Sequence, residues 1–266
     1  MDTEVYGQIK FSVKKLLNID LDHYKEEQMR RRLDSWLVRS GVPTWPEYIH
    51  RVSSDSNELS RLRDYLTINV SEFFRDPERW QNLAEKVLPG LIKNGLTTRP
   101  PSGGVRIWSA GCSIGAEPYT LSVLLDELAP QQPHFILATD LDRGVLAKAK
   151  SRGPYTQEDI HNVNQARRST YFEPGGPPYY VKEKTAHWIE FREHNLLSDL
   201  YQNNFDLIVC RNVVIYFTAE TKNQLYAKFY QALRPGGILF LGGTEIIPRP
   251  QEIGFRSYGV SMYVKE

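Results

Sequence analysis

The chain has 266 residues, 41% hydrophobic and 24% charged, which is long enough for one large globular domain or for two. A formal net charge of +1 lacks the basic excess of a non-specific nucleic-acid binder, so no nucleic-acid partner is expected. Cys112 and Cys210 lie far apart in apolar surroundings, the N-terminus MDTEVYGQIK is not a signal peptide, and no apolar run approaches the roughly 20 residues of a membrane helix. A reducing, cytoplasmic location off the membrane is expected.

The first hundred residues read as helices. Val5 to Asn18 places Val5, Ile9, Val13, Leu16 and Leu17 on one side. Asp22 to Ser40 carries Met29, Leu33, Trp36 and Leu37 at i, i+4, i+7, i+8, an amphipathic stripe stopped by Gly41-Val42-Pro43. Pro46 to Val52 and Asn57 to Ile68 are shorter helices. Asp76-Pro77, a cap-type residue before proline, opens another that runs to Asn94-Gly95. The first domain is therefore expected over 1–96. The polar segment 97–104 (TTRPPSGG) is its expected linker.

From 105 to 266 the rhythm changes. Strands are expected at Val105–Ser109, Phe135–Thr139, Trp188–Arg192, Phe205–Cys210, Ile238–Leu241 and Tyr258–Lys265. Helices fall between them at Ala116–Ala129, Arg143–Ser151 and Ala219–Leu233, with a turn at Arg234-Pro235-Gly236-Gly237. This alternation predicts an α/β fold with a doubly wound, mostly parallel sheet. The polar stretch around 153–186, with Pro174-Gly175-Gly176-Pro177-Pro178 in it, is expected to be a small insertion at the sheet edge.

The turn Ser109-Ala110-Gly111-Cys112-Ser113-Ile114-Gly115 joins a strand to a helix. Glycines there let backbone approach a ligand at the carboxyl ends of the strands. The spacing is neither G-x-G-x-x-G nor a Walker sequence, so a pyrophosphate is not expected. Asp140 ends the next strand, where a carboxylate can accept both hydroxyls of a ribose. Together they fit an adenosine ligand, or else a tight turn and a helix N-cap at Asp140. The six histidines show no metal spacing, and no metal is expected.

Four blocks resemble the chemotaxis receptor glutamate methyltransferases, the CheR family. They are Asn69-Val70-Ser71-Glu72-Phe73-Phe74-Arg75, Gly111-Cys112-Ser113-Ile114-Gly115-Ala116-Glu117-Pro118-Tyr119, Asn195-Leu196-Leu197, and Cys210-Arg211-Asn212-Val213-Val214-Ile215-Tyr216-Phe217. The resemblance spans nearly the whole chain. It implies a class I methyltransferase sheet, an all-helical front domain that docks the receptor, and S-adenosyl-L-methionine as cofactor with S-adenosyl-L-homocysteine as product. It implies that Asn69, Ser71 and Arg75 reach towards the cofactor and that Glu117 meets its amino-acid part. Asp140 would meet the ribose, and Asn195, Leu196, Arg211 and Asn212 would line the adenine and methionyl side. The chain departs from the family in having Ser71 for threonine, Ala116-Glu117-Pro118 for Glu-Glu-Pro, and Gly242-Gly243-Thr244-Glu245 for Gly-His-Ser-Glu.

The implied reaction is methyl-ester formation on receptor glutamates, contributing to sensory adaptation. A glutamate is already an anion at neutral pH, so no general base is needed and positioning dominates. Arg75 and Tyr216 suit that task as a carboxylate holder and a phenol donor, and the resemblance credits both with orienting the acceptor. Their structural alternatives are an ion pair of Arg75 with Asp76 or Glu72, and plain aromatic packing of Tyr216. On the second helix, Glu26–Arg30 and Glu27–Arg31 pair at i, i+4, leaving Lys25, Arg32 and Arg39 as an acid-free stripe. The stripe is either a solvated face or the docking surface for the cytoplasmic helical domain of chemotaxis receptors, and the resemblance favours the second. The insertion is short, and a receptor peptide tether is not expected to be needed there. A monomer is expected. A methyltransferase of this fold with another acceptor, and a non-catalytic module sensing S-adenosylmethionine or S-adenosylhomocysteine, are the competing readings.

Overall fold

The structure, a computed structural model, describes residues 1–67, 71–98 and 103–266. Contacts divide the chain into two compact units, Met1–Asn69 with Val214–Gln224, and Val70–Val213 with Leu225–Glu266. Residues 99–102 of the expected 97–104 linker lie outside the described residues.

The first unit is helical. In α1 (Thr3–Leu17), Asp2 caps the start by accepting from the Val5 amide, Asn18 closes the end in a left-handed conformation, and Tyr6, Ile9, Val13 and Leu17 are buried. Helix α2 (Glu26–Ser40) buries Met29, Leu33 and Trp36 and stops at Gly41, φ +69°. Helices α3 (Trp45–Ser54) and α4 (Ser56–Thr67) follow. Glu58 of α4 is 2% exposed, and its carboxylate accepts from the Tyr48 hydroxyl at 3.1 Å and from Arg61 at 2.7 Å. A buried charge needs that kind of pairing, and the helical pattern alone gives no sign of it.

Helix α2 starts four residues later than its periodicity predicts. Leu21–His23 form a 3-10 turn, and Tyr24 pairs antiparallel with Phe217. The Lys25 amide donates to the Tyr216 carbonyl at 3.0 Å, and the Thr218 amide to the His23 carbonyl at 2.9 Å. The bridge takes the Lys25 amide and the His23 carbonyl, two groups that an earlier helix start would have paired within the helix. The chain after the fourth strand thus becomes part of the helical unit.

The second unit carries a seven-stranded sheet, order β3-β2-β1-β4-β5-β7-β6. Strands β1 (Arg106–Ala110), β2 (Phe135–Asp140), β3 (Ile189–Glu193), β4 (Phe205–Cys210) and β5 (Leu233–Leu241) are parallel. Every residue of β4 is buried, as expected of a central parallel strand covered on both faces. The last predicted strand is in fact a hairpin. Strands β6 (Phe255–Gly259) and β7 (Met262–Lys265) run antiparallel, and the chain turns between them at Gly259, φ +149°, and Ser261, φ +59°. The predicted turn Arg234–Gly237 is taken up within β5 as a register shift: Phe205 faces Leu233, but Leu207 faces Ile238.

Helix α5 (Pro77–Asn82) continues through a π-helical turn, Leu83–Val87, into α6 (Leu88–Thr98). Helices α7 (Ala116–Leu128) and α8 (Arg143–Lys150) follow β1 and β2. The segment 153–186 contains a helix that its polarity hides, α9 (Gln165–Tyr171). It is not a solvated excursion, because Tyr155, Ile160, Val163, Phe172 and Val181 join the core formed by Phe73, Trp80, Ile107, Tyr119 and Phe240. Helix α10 (Ala219–Ala232) follows β4. Among the described residues no helix is long and apolar enough to cross a membrane.

Candidate cofactor site

The site is built where β1, β2 and β4 end. After β1 the amides of Gly111 and Cys112 both donate to the Thr139 carbonyl, at 2.8 and 2.9 Å, which ties the glycine turn to β2. Gly111 has φ +83°, and a Cβ there would lie 2.5 Å from Val213 Cγ2. A side chain is therefore excluded both by conformation and by the loop after β4. Asp140 faces this turn. Its Oδ2 accepts from the Ser113 amide at 2.8 Å and its Oδ1 from the Asp142 amide at 3.0 Å. The cap of α8 is Asp142, whose Oδ1 accepts from Gly144 and Val145. Asp142 and not Asp140 therefore caps α8, while Asp140 also braces the glycine turn through Ser113.

Glu117, in the first turn of α7, accepts from the Ser109 hydroxyl at 2.7 Å. Burial pushes its carboxyl up to about 7, opposed by Arg211, Ser109 and Arg75 and reinforced by Glu245. Burial also pushes Asp140 up to about 6, against the two backbone amides it accepts from. Both residues keep intermediate exposure, as walls of a cleft do. Carboxyls raised in this way at the ends of neighbouring parallel strands are candidates for binding a ligand.

Beyond β4, Arg211 donates to Asp76 Oδ2 at 2.6 Å, between the rings of Trp80 and Phe240, each 5.1 Å away. Asn212 is left-handed, φ +60°. Its amide is held by Glu245 Oε2 at 2.8 Å, and the same oxygen accepts from the Gly242 amide at 2.6 Å. Glu245 is 2% exposed and joins the ends of β4 and β5. Beyond β3 the His194 amide donates to the Asp140 carbonyl at 2.9 Å, bringing the Asn195–Leu196 loop alongside. Asn195 Oδ1 accepts from the Leu197 amide, and Lys228 donates to the Leu197 carbonyl at 2.7 Å.

The structure thus gathers Gly111, Glu117, Asp140, Arg211 and Asn212, with Asn195 and Leu196 on the adjoining loop. Arg75 belongs to the same unit and acts electrostatically on Glu117 and Arg211. Of its two suggested partners, Asp76 binds Arg211, and Glu72 Oε2 lies 3.7 Å from His161. Ser71 is half-buried in the same unit, and Asn69 lies outside the described residues. Tyr216 lies in the helical unit, on the turn Val214–Tyr216 that receives the Lys25 amide. Lys25 and Arg39 are exposed. Arg32 is half-buried, donates to the Tyr65 carbonyl and lies 4.7 Å over the Tyr65 ring, so it is not a free member of the stripe. The sequence does not reveal the roles of Ser109, Ser113 and Glu245, and Asp76, expected to cap α5, instead makes no cap hydrogen bond and accepts from Arg211. Each is a small or acidic residue whose role depends on what the fold brings to it.

Ser113 Oγ, Arg211 Nε and Asn212 Oδ1 are buried with no partner among the described residues. Such atoms are costly unless a ligand satisfies them. A ligand with an ammonium group and vicinal hydroxyls would complement Glu117 and Asp140. These residues fit an S-adenosyl amino acid.

Residues 5–67 match the all-alpha domain of CheR methyltransferase, and residues 69–264 match its SAM binding domain. The chain belongs to the CheR methyltransferase family. A chemotaxis protein methyltransferase of Listeria monocytogenes is 41% identical over 253 residues, 95% of this chain and 94% of that protein. The chemotaxis protein methyltransferase of Escherichia coli is 32% identical over 237 residues, 85% of this chain and 79% of that one. PKMT2 from Rickettsia typhi in complex with AdoHcy aligns at 20% identity over 52% of this chain and 20% of its own, with a TM-score of 0.33, too loose to bear on the site. The match to the all-alpha domain falls within the helical unit, whose segment Val214–Gln224 belongs with the sheet unit to the match to the SAM binding domain.

Proposed function

We propose that this protein transfers a methyl group from S-adenosyl-L-methionine to glutamate side chains of chemotaxis receptors, releasing S-adenosyl-L-homocysteine. The observation that carries the reading is the cleft at the ends of β1, β2 and β4, where Glu117 and Asp140 stand beside unpaired donors and acceptors of Ser113, Arg211 and Asn212. Relatives named chemotaxis protein methyltransferases support the receptor as the acceptor's source.

When bound, S-adenosylmethionine supplies an electrophilic methyl on a sulfonium. Glu117 binds the ammonium end and Asp140 the ribose hydroxyls. Gly111 lets the backbone lie against the ligand, and Asn195 and Leu196 border the adenine. Arg75 holds the acceptor carboxylate, with Tyr216 donating a further hydrogen bond. The acceptor is an anion at neutral pH, so these groups position it and hold no proton in transit. Strong stabilisation of that anion would weaken it as a nucleophile, which favours a contact of moderate strength. An acidic helical face of the receptor docks against the Lys25–Arg39 stripe.

The test is transfer of labelled methyl from S-adenosylmethionine to receptor membranes from the same cell. Base-labile label on the receptor is the expected result, and its absence would remove the receptor-glutamate reading. Arg75→Ala is expected to abolish transfer while leaving the melting temperature in place. Normal turnover in that variant would take Arg75 out of the reaction.

A further inference from the structure

Asp76 stands at the N-cap of α5 with a left-handed backbone, φ 58° and ψ 69°, and its side chain makes no cap hydrogen bond. An N-cap aspartate ordinarily sits extended and accepts from the first amides of its helix. Phe74, on the other side of Arg75, is left-handed too, at φ +54°. A non-glycine residue held in that region costs stability and persists where the surroundings impose it, most often at functional sites.

The carboxylate goes to another strand. Asp76 Oδ2 takes a charge-assisted bond from Arg211 at 2.6 Å, and the Arg211 side chain is 3% exposed. The rings of Trp80 and Phe240 flank that guanidinium, and Arg75 and Arg79 add positive charge nearby. A cation so enclosed needs an anion to stay. Two acids meet that need: Glu117 acts on Arg211 through its charge while accepting from Ser109, and Asp76 is the one that bonds the guanidinium directly.

We propose that Asp76 is a positioning residue: it forgoes capping its own helix in order to fix the Arg211 guanidinium at the end of β4, beside the Glu117 charge of the candidate cofactor site. The proposal rests on the reading that this cleft binds an S-adenosyl amino acid. Asp76 also follows Arg75 directly, so its bond to Arg211 ties the start of α5 to the strand end that lines the cleft.

The test measures S-adenosylhomocysteine binding by titration calorimetry on the full chain. Asp76→Asn keeps a residue tolerant of the left-handed region but removes the charge. Asp76→Ser offers a side chain able to cap the helix and also removes the charge. Both are expected to weaken binding about tenfold, the effect of losing one part-buried charge-assisted bond. In an Arg211→Met background, Asp76→Asn is expected to change neither the affinity nor the melting temperature of the ligand-free protein appreciably, because the partner through which it acts is gone. Wild-type affinity in either single variant overturns the proposal. So does a loss that persists undiminished in Arg211→Met, which would make Asp76 a structural residue only. Failure of the wild-type protein to bind S-adenosylhomocysteine would overturn the cofactor reading, and this proposal with it. Tight wild-type binding with unaffected variants would overturn this proposal alone.

Discussion

Glu117 and Asp140 are raised by the same cause, burial at the ends of parallel strands, and they set the pH response of the cleft. Glu117 moves from 4.5 to about 7 and Asp140 from 3.8 to about 6. A folded state with raised carboxyl pKa values holds protons that the unfolded chain gives up. These two groups therefore contribute most to stability at low pH, and that contribution is lost as pH rises through about 6 and then about 7. Ligand binding runs the other way, because an ammonium at Glu117 and hydroxyls at Asp140 favour the ionised forms. S-adenosylhomocysteine affinity is expected to rise as pH goes from about 5.5 to about 7.5, with proton release near pH 6.5 seen by calorimetry in buffers of different ionisation enthalpy. Glu117→Gln should remove most of the proton release and weaken binding. An affinity flat across that window would mean that neither carboxyl touches the ligand.

At the scale of the element, the glycine turn after β1 was legible and its purpose only half so. The residue type announces a turn, and the structure adds that Val213 fills the space a side chain would need. Gly111→Ala is expected to lose roughly 1–2 kcal/mol from the left-handed conformation and about as much again from overlap with Val213. Its melting temperature should fall by several degrees, and it should bind S-adenosylhomocysteine poorly. Gly175→Ala is the control: it shares the strained conformation, φ +98°, but meets nothing within 4 Å. It should lose stability and keep binding. Equal ligand affinity in both variants would remove the Gly111 turn from the site. The parallel strands could be read because Phe205–Cys210 and its neighbours are apolar on both faces and alternate with helices. The β6–β7 hairpin could not, since its turn residues Gly259 and Ser261 sit inside what looks like one strand. Helix α9 was missed because its few apolar residues are enough only once Tyr155 and Val181 pack beside it. Asp76 could be read only as a helix cap, and Glu245 not at all, for the same reason, as their partners Arg211 and Asn212 lie 135 and 33 residues away.

Across the whole molecule the charges nearly cancel, with 33 basic against 32 acidic side chains, so any steering of a partner must come from local asymmetry. On α2 the pairs Glu26–Arg30 and Glu27–Arg31 do form, at 2.8 and 3.1 Å, and they neutralise each other. Lys25 and Arg39 remain exposed and take no part in those pairs, although Arg39 also lies 5.5 Å over the Tyr65 ring, whereas Arg32 is half-buried, donates to the Tyr65 carbonyl and lies within electrostatic reach of Tyr216. This sorts the expected stripe into two kinds of residue. Exposed charges act chiefly on encounter and are screened by salt, while a half-buried, stacked arginine acts through geometry. Reversing Lys25 and Arg39 together to glutamate should raise the KM for receptor several-fold, leave kcat and S-adenosylhomocysteine affinity near wild type, and flatten the salt dependence of receptor methylation. Arg32→Glu should behave differently, lowering the melting temperature as well, because it places an anion under the Tyr65 ring and against a carbonyl. If the double reversal leaves the KM and its salt dependence unchanged, the exposed part of the stripe is solvated surface, and receptor docking must be sought on another face of the all-alpha domain.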